Sequence, residues 1–119
     1  MAWSFSNDKL IYLQIAERIV LSVISGEYSS GAQIPSVRQL ALDAAVNPNT
    51  VQHAFTQLEN EGIIISKGTL GRFVTEDTLI IENCRKKLAE QTIKEFAKNI
   101  KPFNLSKQDI INMLEEELN

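Results

Sequence analysis

The chain has 119 residues, of which 44% are hydrophobic, and this suits one small globular domain with an appendage. It contains one cysteine, Cys84, and one histidine, His53, so neither a disulfide framework nor a zinc site of Cys and His ligands can form within one chain. The sequence has no catalytic Ser/His/Asp arrangement, phosphate-binding glycine loop, secretion signal or membrane-spanning apolar run. We therefore expect a cytoplasmic protein that is not an enzyme, with no metal, no cofactor and no membrane partner.

The first predicted element is an amphipathic helix. Apolar residues recur at steps of four from Ile11 to Val23, which indicates a helix over 8–25 that Gly26 ends. The stretch that follows is rich in glycine and serine, as turns are, and leaves room for a very short extended piece around Gln33.

Two further helices are predicted close together. Ser36 and Gln39 have the spacing of a capping box, which indicates a helix start. Asn47 followed by Pro48 indicates a third helix, because Asn is a favoured N-cap and Pro is tolerated at the first helical position. The short link between these two helices is what a helix-turn-helix requires.

A β-hairpin is predicted over 63–75. Three consecutive isoleucines begin it, Gly68 and Gly71 mark a turn, and a second β-prone run that includes Phe73 follows. Three helices and a hairpin make a winged helix-turn-helix, so the predicted fold is mainly α with a small β-hairpin. We assign residues 1–76 to this domain.

Residues 77–119 are predicted to form a two-helix dimerisation segment. The helical pattern returns after Glu76, Pro102 breaks it, and Ser106 has the position of an N-cap for a last helix. These two helices carry too many apolar side chains to leave facing water, so we expect a homodimer. The side chains expected at the dimer contact are Leu88, Phe96, Ile100, Ile110, Leu114 and Leu118.

Two motifs in the first half of the chain carry a family resemblance. They read Gly26-x4-Gly31-x2-Ile34-Pro35-Ser36-x-Arg38-x-Leu40-Ala41 and Val46-Asn47-Pro48-Asn49-Thr50-Val51-x2-Ala54-Phe55-x2-Leu58-Glu59-x-Glu61-Gly62. Together they resemble the GntR family of bacterial regulators. The shortness of the chain after Glu76 and the phrase over 47–52 are similar to the YtrA-type branch of that family, which the resemblance implies is dimeric.

The resemblance implies that Arg38 contacts a base or a phosphate, and residues at the start of a recognition helix reach base edges. Asn47 is either a cap or a contact, with the cap favoured, and His53 is either a phosphate contact or a packing residue. Glycine and cations in the hairpin favour contact with phosphates or the minor groove. The predicted DNA-binding set is Ser36, Arg38, Asn47, Asn49, Thr50, Gln52, His53, Lys67, Gly68, Thr69 and Arg72.

These patterns predict a sequence-specific transcriptional regulator, expected to be a repressor that binds a palindromic double-stranded operator as a homodimer. The net charge of −3 counts against DNA binding, but no acidic residue occurs over 44–58. The alternative is a winged-helix module that binds protein, which the acidic pI of 5.2 favours. The sequence leaves open whether a small-molecule effector exists.

Overall fold

The computed structural model describes residues 3–119, and within this range it has five α-helices and one two-stranded antiparallel hairpin. The chain divides into two compact units: the first unit extends to Arg85, and the second unit is Lys86–Asn119. No helix in the described range is long and apolar enough to cross a membrane. The predicted fold class, a winged helix-turn-helix followed by helices, is confirmed. Its elements are α1 (Ile11–Ile24), α2 (Val37–Ala44), α3 (Pro48–Asn60), β1 (Ile64–Ser66), β2 (Arg72–Val74), α4 (Thr78–Ile100) and α5 (Lys107–Leu118).

Side-chain caps fix the starts of α2 and α3. The Ser36 hydroxyl oxygen accepts a hydrogen bond from the Gln39 backbone N–H at 3.1 Å, and the Asn47 side-chain oxygen accepts one from the Asn49 N–H at 2.8 Å. These bonds satisfy backbone donors that the first turn of a helix leaves without partners. The predicted capping box is wrong in its second half, because the Gln39 amide donates to Asp43 at 2.9 Å.

In the link between α2 and α3, the residue with the left-handed backbone conformation is an alanine, where glycine is the usual residue. Ala45 ends α2 with φ of 55° and ψ of 47°, a left-handed conformation that is unfavourable for an L residue by about 1–2 kcal/mol. Val46 follows, half-buried, and donates its N–H to the Ala41 carbonyl at 3.0 Å. The backbone therefore passes from α2 into α3 through a link short enough for a helix-turn-helix.

The core of the first unit is centred on α3. Val51 and Phe55 have no exposed surface, and Ile15 and Ile19 of α1 are equally deep, at 0% and 1% exposed. Full burial of side chains of this size is worth about 1.5–3 kcal/mol each. One face of α3 is thus committed to the core, and the opposite face is left exposed.

The hairpin forms the wing, and the α1–α2 link lies along its second strand. β1 and β2 pair in antiparallel register with Ile64 opposite Val74. The Gly31 N–H donates to the Val74 carbonyl at 3.1 Å, and Gln33 forms an isolated β-bridge to Phe73. The extended piece expected around Gln33 is therefore present, and it holds the wing to the helical part of the first unit.

The first unit extends past the predicted boundary at residue 76. Ile80, Ile81 and Cys84, on the first turns of α4, pack against the buried core. Arg85 donates a hydrogen bond to the Ile24 carbonyl at 2.9 Å. Cutting the chain after residue 76 would remove these contacts, so a truncation that spares the winged helix belongs after Arg85. The assignment of 1–76 to DNA binding and of 77–119 to dimerisation stays a prediction.

The second unit contains the end of α4, a 3₁₀ turn over Lys101–Phe103, and α5. Pro102 lies in the turn, and the Ser106 hydroxyl caps α5 by accepting from the Asp109 N–H at 3.1 Å. Both features agree with the predicted break and cap. The structure describes every residue of this unit, and none of them is buried.

Many apolar side chains of the second unit are exposed. Phe103 is 69% exposed and Ile93 is 64% exposed. Among the predicted dimer-contact residues, Leu118 is 81% and Leu114 is 36% exposed, and the others are half-buried: Leu88, Phe96, Ile100 and Ile110. Short amphipathic helices with no buried side chain gain little stability alone and need a surface to cover them.

Candidate nucleic-acid interface

The outward face of α3 carries polar side chains in its first turns. Asn49, Gln52 and His53 are exposed, and Thr50 is half-buried. The apolar residues of the same helix are turned into the core, which fixes the rotation of α3 about its axis. In a helix-turn-helix, residues at the N-terminal end of the second helix reach base edges. The structure therefore presents these four side chains where that mode of binding requires them.

The charge around this face favours an anionic partner more than the whole-chain charge does. Residues 44–58 contain no acidic side chain. Of the flanking acids, Glu59 is neutralised by an ion pair with Arg72 at 2.7 Å, whereas Asp43 keeps its charge and accepts a hydrogen bond from a glutamine of its own helix at 2.9 Å. A phosphate can therefore approach the start of α3 with little like-charge repulsion.

The predicted contacts at the helix starts differ in how they are engaged. Ser36 and Asn47 both use a side-chain oxygen as a helix cap, which was the favoured alternative for Asn47. Arg38 is exposed in the first turn of α2, and within residues 3–119 its guanidinium has no hydrogen-bond or ion-pair partner. Its planar set of donors is thus available to a guanine edge or a phosphate.

The wing tip is exposed. Lys67, Gly68 and Thr69 are all exposed, and a 3₁₀ turn over Gly68–Leu70 joins the strands. A side chain built at Gly68 would meet no atom within 4 Å, so the backbone there is open to a close neighbour. The Lys67 ammonium lies 4.6 Å from the centre of the Phe73 ring.

Arg72 is placed apart from the wing tip. It is half-buried in β2, and its guanidinium lies against α3. Its Nε is 2.7 Å from Glu59 Oε1, its Cζ is 5.0 Å from the centre of the Phe55 ring, and its Nη2 is 3.5 Å from Gln52 Oε1. Arg72 thus joins the wing to the recognition helix.

His53 is both exposed and stacked. Its ring lies on the Tyr12 ring with centroids 3.6 Å apart and planes 10° from parallel, so it packs on α1 while its other side faces out. An open cleft of about 620 Å³ lies beside the pair, and its lining includes Ser6, Lys9 and Asn49.

The sequence did not predict that Ser6, Lys9 and Tyr12 lie beside His53 and Asn49. A lysine just before α1 was the available signal, since a cation near a helix-turn-helix suits a phosphate. Asp8 precedes Lys9 in the sequence. The Ser6 hydroxyl donates a hydrogen bond to the Asp8 carboxylate and lowers the pKa of Asp8.

Curated proteins with similar sequences are regulators. The "Uncharacterized HTH-type transcriptional regulator YhcF" of Bacillus subtilis strain 168 is 34% identical over 107 residues, which cover 90% of this chain and 88% of that protein. The "HTH-type transcriptional repressor YtrA" of the same strain is 36% identical over 83 residues, which cover 68% of this chain and 64% of that protein. The likeness to YhcF therefore extends over both units.

Solved structures give the same picture. A GntR family transcriptional regulator from Listeria monocytogenes has a TM-score of 0.82 at 33% identity, with 94% of this chain and 98% of that chain covered. AraR(DBD), crystallised in complex with operator ORX1, has a TM-score of 0.55 at 25% identity, with 63% of this chain and 92% of that chain covered.

The family model for "Bacterial regulatory proteins, gntR family" matches residues 11–74, more than half of the sequence. This chain belongs to the GntR family of bacterial regulators, and it is a transcriptional regulator with a DNA-binding winged helix-turn-helix.

Proposed function

We propose that the protein is a sequence-specific repressor that binds a palindromic operator as a homodimer. The observation that carries this proposal is the exposed, acid-free start of α3, with Asn49, Gln52 and His53 on its outward face. Two similar proteins support it: AraR(DBD) was crystallised with an operator, and YtrA is named as a repressor.

In this proposal the polar residues of α3 read base edges in the major groove. The amides of Asn49 and Gln52 each offer a donor and an acceptor, a combination that matches adenine. Arg38 supplies a fork for guanine or phosphate from the start of α2. Lys67 and the open backbone at Gly68 meet phosphates or the minor groove from the wing.

The exposed apolar surface of the second unit supports the proposed dimer. Leu114, Leu118, Ile93 and Phe103 are exposed in a single copy, and covering each fully is worth about 1.5–3 kcal/mol. A two-fold contact between identical chains is the commonest way to cover such a surface. Two winged helices related by that axis would read two half-sites about 34–36 Å apart, one helical turn of DNA.

A selection from random duplex DNA tests the operator. We expect full-length protein to enrich a palindrome, and its affinity to fall steeply with salt because bound phosphates release counterions. Enrichment of no sequence would contradict the proposal. Absence of salt-sensitive binding to any duplex would instead favour a protein-binding module, the alternative that the acidic pI of 5.2 supports.

A matched pair of variants in α5 tests the dimer. Leu114→Asp places a charge on the apolar face and is expected to give monomers at micromolar concentration with much weaker operator binding. Asn112→Asp adds the same charge on the opposite face of the helix, where Asn112 already accepts a hydrogen bond from Gln108 at 2.9 Å, and should leave both unchanged. Analytical ultracentrifugation and a DNA titration at fixed salt measure the two effects. Wild-type protein that sediments as a monomer would contradict the proposed dimer.

A further inference from the structure

The three partners of Arg72 all belong to the recognition helix. Gln52, Phe55 and Glu59 follow one another at intervals of three and four residues, so they form a row along one side of α3. The Arg72 guanidinium lies along this row, with an ion pair to Glu59 at 2.7 Å, the Phe55 ring at 5.0 Å and Gln52 Oε1 at 3.5 Å. The Arg72 side chain thereby adds a polar link between the wing and α3 to their shared apolar core.

The ion pair holds the guanidinium in this place. The side chains of Arg72 and Glu59 are only 26% and 31% exposed. A partly buried pair is screened less by salt than a surface pair, and the planar guanidinium fits both a carboxylate and an aromatic face. Because Glu59 neutralises its charge, Arg72 is poorly placed to act as a phosphate-binding cation.

The contact with Gln52 gives that amide a direction. Arg72 has only donors, so it faces the amide oxygen, while the Gln52 Nε2 lies 3.4 Å from Thr56 Oγ1 on the other side. A second lone pair remains on Oε1 and a second hydrogen on Nε2. The amide can therefore pair with a base while keeping both contacts, and these long contacts favour one of the two orientations of its donor and acceptor ends.

We propose that Arg72 is a positioning residue for base recognition: acting through Gln52, it sets which base pair the recognition helix prefers. This rests on the proposed function, in which Gln52 reads a base. It replaces the expectation that Arg72 itself touches DNA. An amide pairs with adenine only when Oε1 and Nε2 face the matching donor and acceptor of the base. An amide that rotates freely would therefore discriminate less between bases.

A double-mutant cycle tests the proposal. Affinities of full-length protein are measured for the selected operator and for a duplex changed at the base pair where Gln52→Ala alters preference. The ratio of the two affinities is the discrimination. Gln52→Ala is expected to reduce it about tenfold, and Arg72→Lys and Glu59→Gln about threefold or more each. In the Gln52→Ala background, Arg72→Lys should reduce it no further.

Two controls separate positioning from a direct contact. Lys67→Ala removes a wing cation and should weaken both duplexes equally, with the salt slope smaller by about one. Arg72→Lys should keep the salt slope of the wild type. If Arg72→Lys does not fold, Glu59→Gln repeats the test with the arginine still present.

Three results would overturn the inference. The first is an equal loss on both duplexes from Arg72→Lys that persists with Gln52→Ala, which would show a direct phosphate contact. The second is undiminished discrimination in both Arg72→Lys and Glu59→Gln. The third, no change in preference from Gln52→Ala at any base pair, would overturn the base-reading role of Gln52 as well.

Discussion

The glycine that closes the wing turn allows a quantitative test of how the wing is held. Gly71 has φ of 110° and ψ of −158°, a region nearly restricted to glycine, where another residue is strained by about 1–3 kcal/mol. A Cβ added there would lie 2.6 Å from Gln33 Nε2. That nitrogen donates a 2.7 Å hydrogen bond to the Leu70 carbonyl. Gln33 would have to move away, and the lost bond adds about 0.5–1.5 kcal/mol.

We therefore expect Gly71→Ala to lower the free energy of unfolding by about 1.5–4.5 kcal/mol. Urea unfolding followed by circular dichroism measures this at one fixed protein concentration, since dimer formation makes stability depend on concentration. With a urea dependence of about 2 kcal/mol per molar, the midpoint should fall by about 1–2 M.

Two variants separate strain from the clash. Gly68→Ala has φ of 61° and no atom within 4 Å of the added Cβ, so only the backbone penalty of about 1–2 kcal/mol remains. The double variant Gln33→Ala/Gly71→Ala should lose less unfolding free energy than the sum of the two single losses, because both substitutions remove the same hydrogen bond. A Gly71→Ala protein as stable as the wild type, or no less stable than Gly68→Ala, would refute the reasoning.

Further variants test single contacts. Phe55→Ala should destabilise by about 3–5 kcal/mol in urea unfolding, because it empties the centre of the core. Asn47→Ala should lower stability by about 0.5–2 kcal/mol, and Asn47→Asp, which keeps a capping oxygen, should restore it. Ala45→Gly should leave stability unchanged or raise it by up to about 1 kcal/mol in a thermal melt, since it relieves a left-handed alanine. Arg38→Ala should weaken operator binding by about 1–3 kcal/mol in a titration without lowering the unfolding midpoint.

The sequence allowed the elements of the first unit to be predicted because their signals are local. Gly26 has φ of 87° just past α1, and Ser36 and Asn47 cap the helices that they were expected to start. Ala45 could not be predicted to turn left-handed, because no residue preference requires it; the packing of α2 on α3 imposes it.

The missed features depend on contacts between residues far apart in the sequence. Arg72 was grouped with the wing tip because it lies in the hairpin, and only the folded chain brings it to Glu59. The stack of Tyr12 on His53 joins α1 to α3 in the same way. Apolar spacing after Glu76 placed Ile81 in a helix but could not tell that Ile81 packs on the core of the first unit.

The central claim, that the outward face of α3 reads DNA in a symmetric complex, is tested most directly by titrating duplexes substituted one base pair at a time. Wild-type, Gln52→Ala and Asn49→Ala proteins are compared, with Asn60→Ala at the far end of the same helix as the control. We expect each of the first two variants to lose discrimination at one position in each half-site, related by the two-fold axis, and Asn60→Ala to match the wild type. An equal loss of affinity on every duplex, or no loss on any, would contradict the account.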